Sequence, residues 1–193
     1  MTPEPLPSHT RRADAERNRA KILAVARTAF AESDTEVSMA EISRRAGVGM
    51  ATLYRNFPDR RALLEALFTD EVDAVCGATD TVIGGSPGAL LIAWLHRFFA
   101  FSTSKRLIAS ELLTHADSTS PVFGESRARV LASGRPLLSA AQRAQEVRGD
   151  LTLEQILDMI VAIAKIPGDP GYLEPILQSA LDGIRLPTAV EPP

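Results

Sequence analysis

The stretch Val37–Arg60 reads VSMAEISRRAGVGMATLYRNFPDR, and it carries the signals of two short helices joined by a tight turn. Ser38 and Glu41 have the spacing of an S-x-x-E capping box, which predicts that a helix begins directly after Ser38. The predicted helix spans Met39–Ala46 and ends at Gly47, because glycine readily adopts the left-handed backbone of a helix C-terminus.

A second short helix is predicted from Gly49 or Met50 to Phe57, where Pro58 prevents its continuation. Two short helices at this spacing are typical of a helix-turn-helix, here over about residues 38–57. The second helix of such a motif fits the major groove of DNA, with its N-terminal residues toward the base edges. The stretch therefore predicts double-stranded DNA as a partner.

We expect the second helix to bury one face and to offer the other to DNA, with Arg55 among the residues left available. The residues expected to dock are apolar: Val48, Leu53 and Phe57. The residues expected to read bases lie at the start of the helix: Gly49, Met50, Ala51 and Thr52. The residues expected to hold phosphates have side chains or a helix start that suit an anion: Ser38, Tyr54, Asn56 and Arg60.

Helical spacing of apolar residues continues on both sides of the motif. It predicts a helix from Asp14 to Glu32, and a helix capped by Asp59 follows the motif. Beyond the linker Gly84–Gly88 the pattern remains helical, and no alternating strand pattern occurs. The predicted fold is all-α, with an N-terminal three-helix helix-turn-helix domain followed by a larger helical bundle.

Helix boundaries in the second half are predicted from local signals. Ser120-Pro121 opens a segment that reaches Arg148, and Gly134-Arg135-Pro136 is expected to kink or divide it. Thr152 and Gln155 form a second capping box ahead of an apolar stripe. We expect a flexible arm over residues 1–13, a DNA-binding domain over 14–75, a C-terminal domain over 76–186 and a flexible tail over 187–193.

Charge is distributed unevenly along the 193 residues, whose formal net charge is −3. Residues 1–60 hold ten Lys or Arg against eight acids, so the N-terminal part is mildly basic and the remainder acidic. This is consistent with an anionic partner at one end of the molecule. The arginines at 11, 12, 17 and 19 either form a solvated charge run or follow the DNA backbone into a minor groove.

The scarcity of metal-binding and redox residues limits the chemistry that we predict. The single cysteine, Cys76, excludes an internal disulfide and is read as a small apolar residue, with redox sensing as the alternative. Three scattered histidines leave little for a metal site, and we expect no cofactor and no enzymatic activity. No segment is long and apolar enough for a membrane span or a signal peptide, so we expect a cytoplasmic protein.

The motif resembles the TetR family of bacterial transcriptional regulators, most clearly in Ala46-Gly47-Val48 and Thr52-Leu53-Tyr54 with Phe57 in register. The similarity extends over about Arg17–Leu67. It departs at four positions, where Gly49 replaces serine, Ala51 glycine, Asn56 histidine and Arg60 lysine. Weaker similarity covers Ala144–Leu151, where Gln145 replaces the usual glycine, and Leu181–Arg185.

The resemblance implies a homodimeric repressor that binds a palindromic operator and is released by a small-molecule effector. Residues expected to line the effector pocket recur mainly at helical spacing in the C-terminal domain, with core packing as the alternative for each: Trp94, Phe98, Phe101, Leu112, His115 and Phe123.

Two apolar stripes near the C-terminus are expected to form the dimer interface, because exposed apolar faces of this size need a partner. Packing within the chain is the alternative. The interface residues are Ile156, Ile160, Val161, Leu173, Ile176, Leu177, Ala180, Leu181 and Ile184.

Two further functions remain open, a helical enzyme or ligand carrier and a regulator that contacts a protein instead of a small molecule.

Overall fold

The computed structural model describes residues 8–32, 37–77, 85–104 and 121–187. The expected arm before Ser8, the tail after Pro187, the helical stretch around residues 106–115 and the Ser120 cap lie outside these residues. The described residues form eight helices: α1 Ser8–Glu32, α2 Met39–Ala46, α3 Met50–Asn56, α4 Arg60–Gly77, α5 Pro87–Ser104, α6 Pro121–Arg143, α7 Leu153–Ala164 and α8 Pro170–Ile184. The all-α prediction is confirmed.

The first compact unit contains the described residues up to Phe68. Helices α1, α2 and α3 pack against one another in it. The stripe predicted on α1 forms part of its core, since Ile22, Ala26 and Ala29 have no exposed surface. Helix α1 begins at Ser8, earlier than the predicted start at Asp14, so the helix includes part of the expected arm.

The second compact unit contains the described residues from Thr69 onward, and its core lies between α5, α6, α7 and α8. A short bridge between Val147 and Arg185 joins the loop after α6 to the end of α8. Arg148 N–H donates to the Ile184 carbonyl at 2.9 Å, and Leu186 N–H donates to the Glu146 carbonyl at 3.0 Å. The loop after α6 thus holds the C-terminal end of the last helix.

Helix α6 runs unbroken past Gly134 and Pro136, so of the two predicted outcomes the division is wrong and the kink stays a prediction. A Cβ atom at Gly134 would lie 2.5 Å from Cη2 of Trp94 and 2.9 Å from Cδ2 of Leu153. The glycine provides room for side chains of α5 and α7, and this packing outweighs its weak helix propensity. Helix α6 ends at Arg143, before the expected Arg148.

The caps of the second unit include one that the sequence predicted and one that it did not. Thr152 and Gln155 form the complete capping box at the start of α7, as predicted. At the start of α5, the Glu146 carboxylate accepts hydrogen bonds from the Ser86 hydroxyl and, at 2.8 Å, from Gly88 N–H. Since Glu146 lies far from α5 in the sequence, no local signal announces this cap.

Candidate nucleic-acid interface

The start of α2 is held by one half of the predicted capping box. The Ser38 hydroxyl accepts a hydrogen bond from Glu41 N–H at 3.2 Å. The Glu41 carboxylate bonds to the guanidinium groups of Arg44, at 2.6 and 2.9 Å, and of Arg45, at 2.7 Å. These bonds, Arg44 first, lower the pKa of Glu41 from its usual 4.5 to about 2. Arg45 also bonds to Glu32 of α1 at 3.1 Å, so both arginines of α2 are paired with carboxylates.

The turn between α2 and α3 is closed by a Schellman motif. Gly47 has φ of 60°, and its N–H donates to the Arg44 carbonyl at 3.1 Å. Val48 N–H donates to the Ser43 carbonyl at 3.1 Å. The buried Ser43 hydroxyl donates to the Val48 carbonyl at 2.6 Å. The predicted role of Gly47 is confirmed, and Ser43 adds a second link across the same turn.

Helix α3 buries one side and exposes the other. Leu53 and Phe57 are buried as predicted, whereas Val48 is half-buried. Three of the four predicted base readers are exposed and Thr52 is half-buried; Gly49 caps the helix without a side-chain hydrogen bond. Tyr54 is 45% exposed. The start of α3 thus offers the small residues Gly49 and Ala51 and the thioether side chain of Met50, beside the aromatic hydroxyl of Tyr54.

Polar side chains of α3 bond back to their own helix. Arg55 Nε donates to the Ala51 carbonyl at 3.2 Å, and Arg55 Nη2 donates to the Thr52 hydroxyl at 3.3 Å. Asn56 Nδ2 donates to the Thr52 carbonyl at 2.8 Å. The amide of Asn56 retains a second N–H, which suits its predicted phosphate contact.

Two arginines hold the ends of the motif, one from α1 and one from α4. Arg19 Nη1 donates to the Asn56 carbonyl at 3.1 Å, and its Cζ atom lies 4.5 Å from the centre of the Phe57 ring. Arg60 Nη1 donates to the Val37 carbonyl, and its Cζ atom lies 5.3 Å from the centre of the Phe30 ring. Arg19 thus contacts the C-terminal end of the motif while its side chain stays exposed, and Arg60 has an internal role beside its predicted phosphate contact.

Four of the six residues predicted to line an effector pocket lie in the described part of the chain, and two do not. Trp94 is 2% exposed, donates from Nε1 to the Val75 carbonyl at 3.2 Å and stacks on Phe98 with ring centres 6.1 Å apart. Phe98 in turn contacts Phe101 at 6.1 Å, and Phe123 is half-buried. Leu112 and His115 lie outside the described residues. The described aromatic residues of α5 form a packed row in the second unit.

A groove of about 800 Å³ lies elsewhere in the second unit, beside the Glu146 cap. It includes none of the six predicted pocket residues. Its lining comes from the start of α5, the loop after α6 and the end of α8: Ser86, Gly88, Ala89, Gln145, Glu146, Arg185, Leu186 and Pro187.

The expectation that the C-terminal stripes need a partner for their burial is wrong. Six of the nine predicted interface residues are buried within the single chain: Ile156, Ile160, Leu173, Leu177, Leu181 and Ile184. The other three are half-buried: Val161, Ile176 and Ala180. Helical spacing shows which residues share a face, but it does not show whether that face meets the same chain or another.

A different side of α7 and α8 remains accessible. On α7 it follows helical spacing through at least partly exposed residues: Gln155, Met159 and Ala162, with Ile166 just beyond the helix. On α8 the corresponding side is small or aromatic: Tyr172, Ile176, Ala180 and Gly183. The opposite flank of α8 is polar, with Gln178 bonded to Asp182.

Two searches of the described residues bear on other classes of function. No cluster of three or more His, Cys, Asp or Glu side chains is arranged to hold a metal ion. Among the described helices, none is both long and apolar enough to cross a membrane.

The geometry of α2, the Gly47 turn and the exposed start of α3 defines the class of protein: a DNA-binding transcriptional regulator of the helix-turn-helix type. Comparisons with known proteins agree. Residues 22–67 match the tetR family of bacterial regulatory proteins, and residues 86–186 match the C-terminal domain of SbtR-like transcriptional regulators. The chain belongs to the TetR family.

Two solved structures are similar over most of this chain. The TetR transcriptional regulator SCO0520 from Streptomyces coelicolor is 34% identical, with a TM-score of 0.72 over 89% of this chain and 99% of that chain. A TetR regulatory protein from Mycobacterium vanbaalenii is 32% identical, with a TM-score of 0.72 over 91% of this chain and 99% of that chain.

A curated relative is similar over a much shorter stretch. An uncharacterized HTH-type transcriptional regulator from Mycobacterium bovis is 46% identical over 39 residues, which span 20% of this chain and 21% of that relative. The chain therefore matches only about a fifth of the length of this relative.

Proposed function

We propose that this protein is a homodimeric repressor in the cytoplasm, that it binds a palindromic operator and that a small-molecule effector releases it. The observation that carries the proposal is that α3 buries one side and exposes the other. Leu53 and the C-cap residue Phe57 are buried, whereas Gly49, Met50 and Ala51 at the start of the helix are exposed. A helix that docks by its C-terminal half and leaves its N-terminal residues accessible is suited to reading base edges.

In this proposal the first turn of α3 determines which base sequence is preferred. Residues around that turn position the protein on the duplex. Gly49, Met50, Ala51 and Thr52 are proposed to face the bases. Ser38, Tyr54, Asn56 and Arg60 are proposed to contact phosphates. The Arg60 bond to the Val37 carbonyl supports this division, because it fixes the guanidinium beside the start of α2.

Dimerisation is proposed to use the accessible side of α7 and α8, whereas the buried stripes hold the two helices in the chain. Ala162, Ala180 and Gly183 are small, so a second copy can approach closely, and Met159 and Ile176 supply apolar surface. A two-fold dimer places two copies of α3 on half-sites about 34 Å apart, which gives short recognition helices their specificity.

The effector site is proposed to lie in the C-terminal domain, as the family resemblance implies. The row Trp94, Phe98 and Phe101 supplies an apolar wall of the kind that binds small organic molecules. Trp94 is the only tryptophan of the chain, so its fluorescence reports directly on binding near this row.

Selection of bound fragments from the host genome tests the DNA-binding part. We expect palindromic fragments, and Tyr54→Ala is expected to weaken their binding without unfolding the protein, because Tyr54 is exposed. The proposal fails if the full-length protein binds the selected fragments no more tightly than an unrelated duplex at the same salt concentration.

Sedimentation of two matched variants tests the dimer. Ala162→Glu places a charge on the proposed interface, whereas Ala132→Glu makes the same change at an exposed position of α6. We expect only Ala162→Glu to give monomers and to weaken operator binding. A wild-type monomer, or equal behaviour of the two variants, contradicts this interface.

A further inference from the structure

Arg55 differs from the other arginines around the motif in the way its charge is held. Arg44 and Arg45 bond to the Glu41 carboxylate, while Arg19 and Arg60 bond to carbonyls at the ends of the motif. Arg55 bonds only to its own helix, and no carboxylate within the described residues pairs with it. It therefore brings an uncompensated positive charge to the exposed side of α3.

The position of this charge follows from its two hydrogen bonds. Arg55 lies in the last turn of α3, but its Nε and Nη2 donate to Ala51 and Thr52, at 3.2 and 3.3 Å. Both acceptors belong to residues about one turn closer to the helix start, so the side chain folds back toward the N-terminal end of α3. The guanidinium thus lies beside Thr52 and folds toward the first turn, where a recognition helix meets base edges.

The surroundings leave the end of the guanidinium fork accessible. Gly49 and Ala51 are exposed and small, so they do not rise beside it. Nη1 has no hydrogen-bond partner among the residues that the structure describes, and Nη2 gives one of its two hydrogens to Thr52. Nη1 and the second hydrogen of Nη2 form the pair of parallel donors that matches O6 and N7 of guanine.

We propose that Arg55 reads a guanine in the major groove and that the Thr52 hydroxyl holds its guanidinium ready for this contact. The inference rests on the proposed function, because it requires α3 to enter the groove. Arg55 thereby joins the four residues of the first turn as a determinant of specificity, and Thr52 acts both on its own base and as a positioning residue for Arg55.

The first test measures the affinity of the full-length protein for the selected operator and for every single-base-pair change in one half-site. Arg55→Ala is compared with wild type and with Arg44→Ala, which removes an exposed arginine from α2 of the same unit. We expect Arg55→Ala to abolish a preference for one G·C pair, a loss of about five- to 150-fold at that pair. Arg44→Ala is expected to leave that preference intact.

Three results overturn the role of Arg55. Equal weakening of all sequences, with the salt slope reduced by about 1, indicates a phosphate contact. Unchanged affinities indicate no contact. A lost preference at an A·T pair indicates a different readout. Failure of the proposed function is distinct, because the wild-type protein then shows no preference for the operator over an unrelated duplex.

The second test concerns the positioning role of Thr52. Thr52→Val removes the hydroxyl that accepts from Arg55, whereas Thr52→Ser keeps it. We expect Thr52→Val to weaken the same G·C preference severalfold and Thr52→Ser to retain it. In the Arg55→Ala background, Thr52→Val is expected to have no further effect at that pair; an equal effect in both backgrounds contradicts the coupling.

Discussion

Two helix ends in this protein are closed by the same hydrogen-bond pattern but by different residues. After α2, Gly47 has φ of 60° and Val48 N–H reaches back to the Ser43 carbonyl. After α6, Gln145 has φ of 56° and Glu146 N–H reaches back to the Ala141 carbonyl at 3.1 Å. Both are Schellman motifs, but only the first carries the residue that adopts a left-handed backbone without cost.

The difference lies in what each turn holds. The Gly47 turn is completed within a few residues, by its own backbone and by Ser43. The Gln145 turn delivers Glu146 to the start of α5 and to Leu186 after α8, so distant contacts impose its conformation. The N-terminal motif is therefore determined locally, whereas the loop after α6 is determined by tertiary contacts.

The largest expected loss of stability comes from a glycine that tertiary packing requires, because a side chain at this position has no room. Gly134→Ala places a Cβ atom 2.5 Å from Trp94 Cη2, so the indole or helix must shift. We expect the free energy of unfolding to fall by about 2–3 kcal/mol, within the range of overpacked cores. Urea unfolding followed by Trp94 fluorescence measures it.

The matched control is Gly124→Ala on the same helix, where no atom of the described residues beyond its own helix lies within 4 Å of the added Cβ. It is expected to be neutral or to stabilise by up to about 1 kcal/mol. Equal destabilisation by both variants contradicts the packing role of Gly134.

The next largest loss of stability is expected at a glycine that the local backbone conformation requires. Gly47→Gln gives the α2 turn the residue found after α6. Among the described residues outside its immediate neighbours, the one atom within 4 Å of its Cβ is Lys21 Nζ at 3.6 Å. We expect a loss of about 1–2 kcal/mol in unfolding free energy from backbone strain alone. Gly49→Ser, at φ of −71°, is the control that should lose nothing.

Removing the distant cap is expected to cost about 1–2 kcal/mol. Glu146→Ala leaves Gly88 N–H and the Ser86 hydroxyl without their carboxylate. Hydrogen exchange of the first amides of α5 should increase selectively. Uniform acceleration over the whole unit, or no acceleration at Gly88, speaks against a cap at this place.

The reverse exchange, Gln145→Gly, is expected to stabilise the protein by about 1 kcal/mol. It relieves the left-handed strain, which outweighs the entropy that glycine adds to the unfolded chain. Thermal unfolding measures the gain. A lower unfolding temperature would mean that contacts of the Gln145 side chain matter more than its φ angle.

The smallest effect concerns Glu41, which lies on the exposed surface of α2. Its pKa of about 2 is below its ordinary value of 4.5 because Arg44 and Arg45 bond to the charged form. The stability that this pair supplies is therefore present above pH 4.5 and is lost as the pH falls toward 2. Glu41→Gln should flatten the pH dependence of the unfolding temperature in this window; an unchanged profile contradicts it.

Much of the first unit was predictable because its signals act over three to five residues. Ser38, Gly47 and Asp59 mark helix ends by hydrogen bonds to near neighbours. The fold-back of Arg55 onto Ala51 and Thr52 also follows helical spacing, although the spacing predicted only that Arg55 is available to DNA. The docking of Arg19 on Asn56 spans 37 positions and had no local signal.

The amino-acid sequence by itself determined the all-α class, the bounds of α2, those of α3 to within one residue, and the family, because capping and apolar spacing depend on neighbours along one helix. Only the tertiary structure decided that α6 continues through Gly134, that Glu146 caps α5 and that the C-terminal stripes are buried in their own chain. Those outcomes depend on contacts between residues that are far apart in the sequence. Whether such a contact forms depends on how the side chains of the whole core pack together.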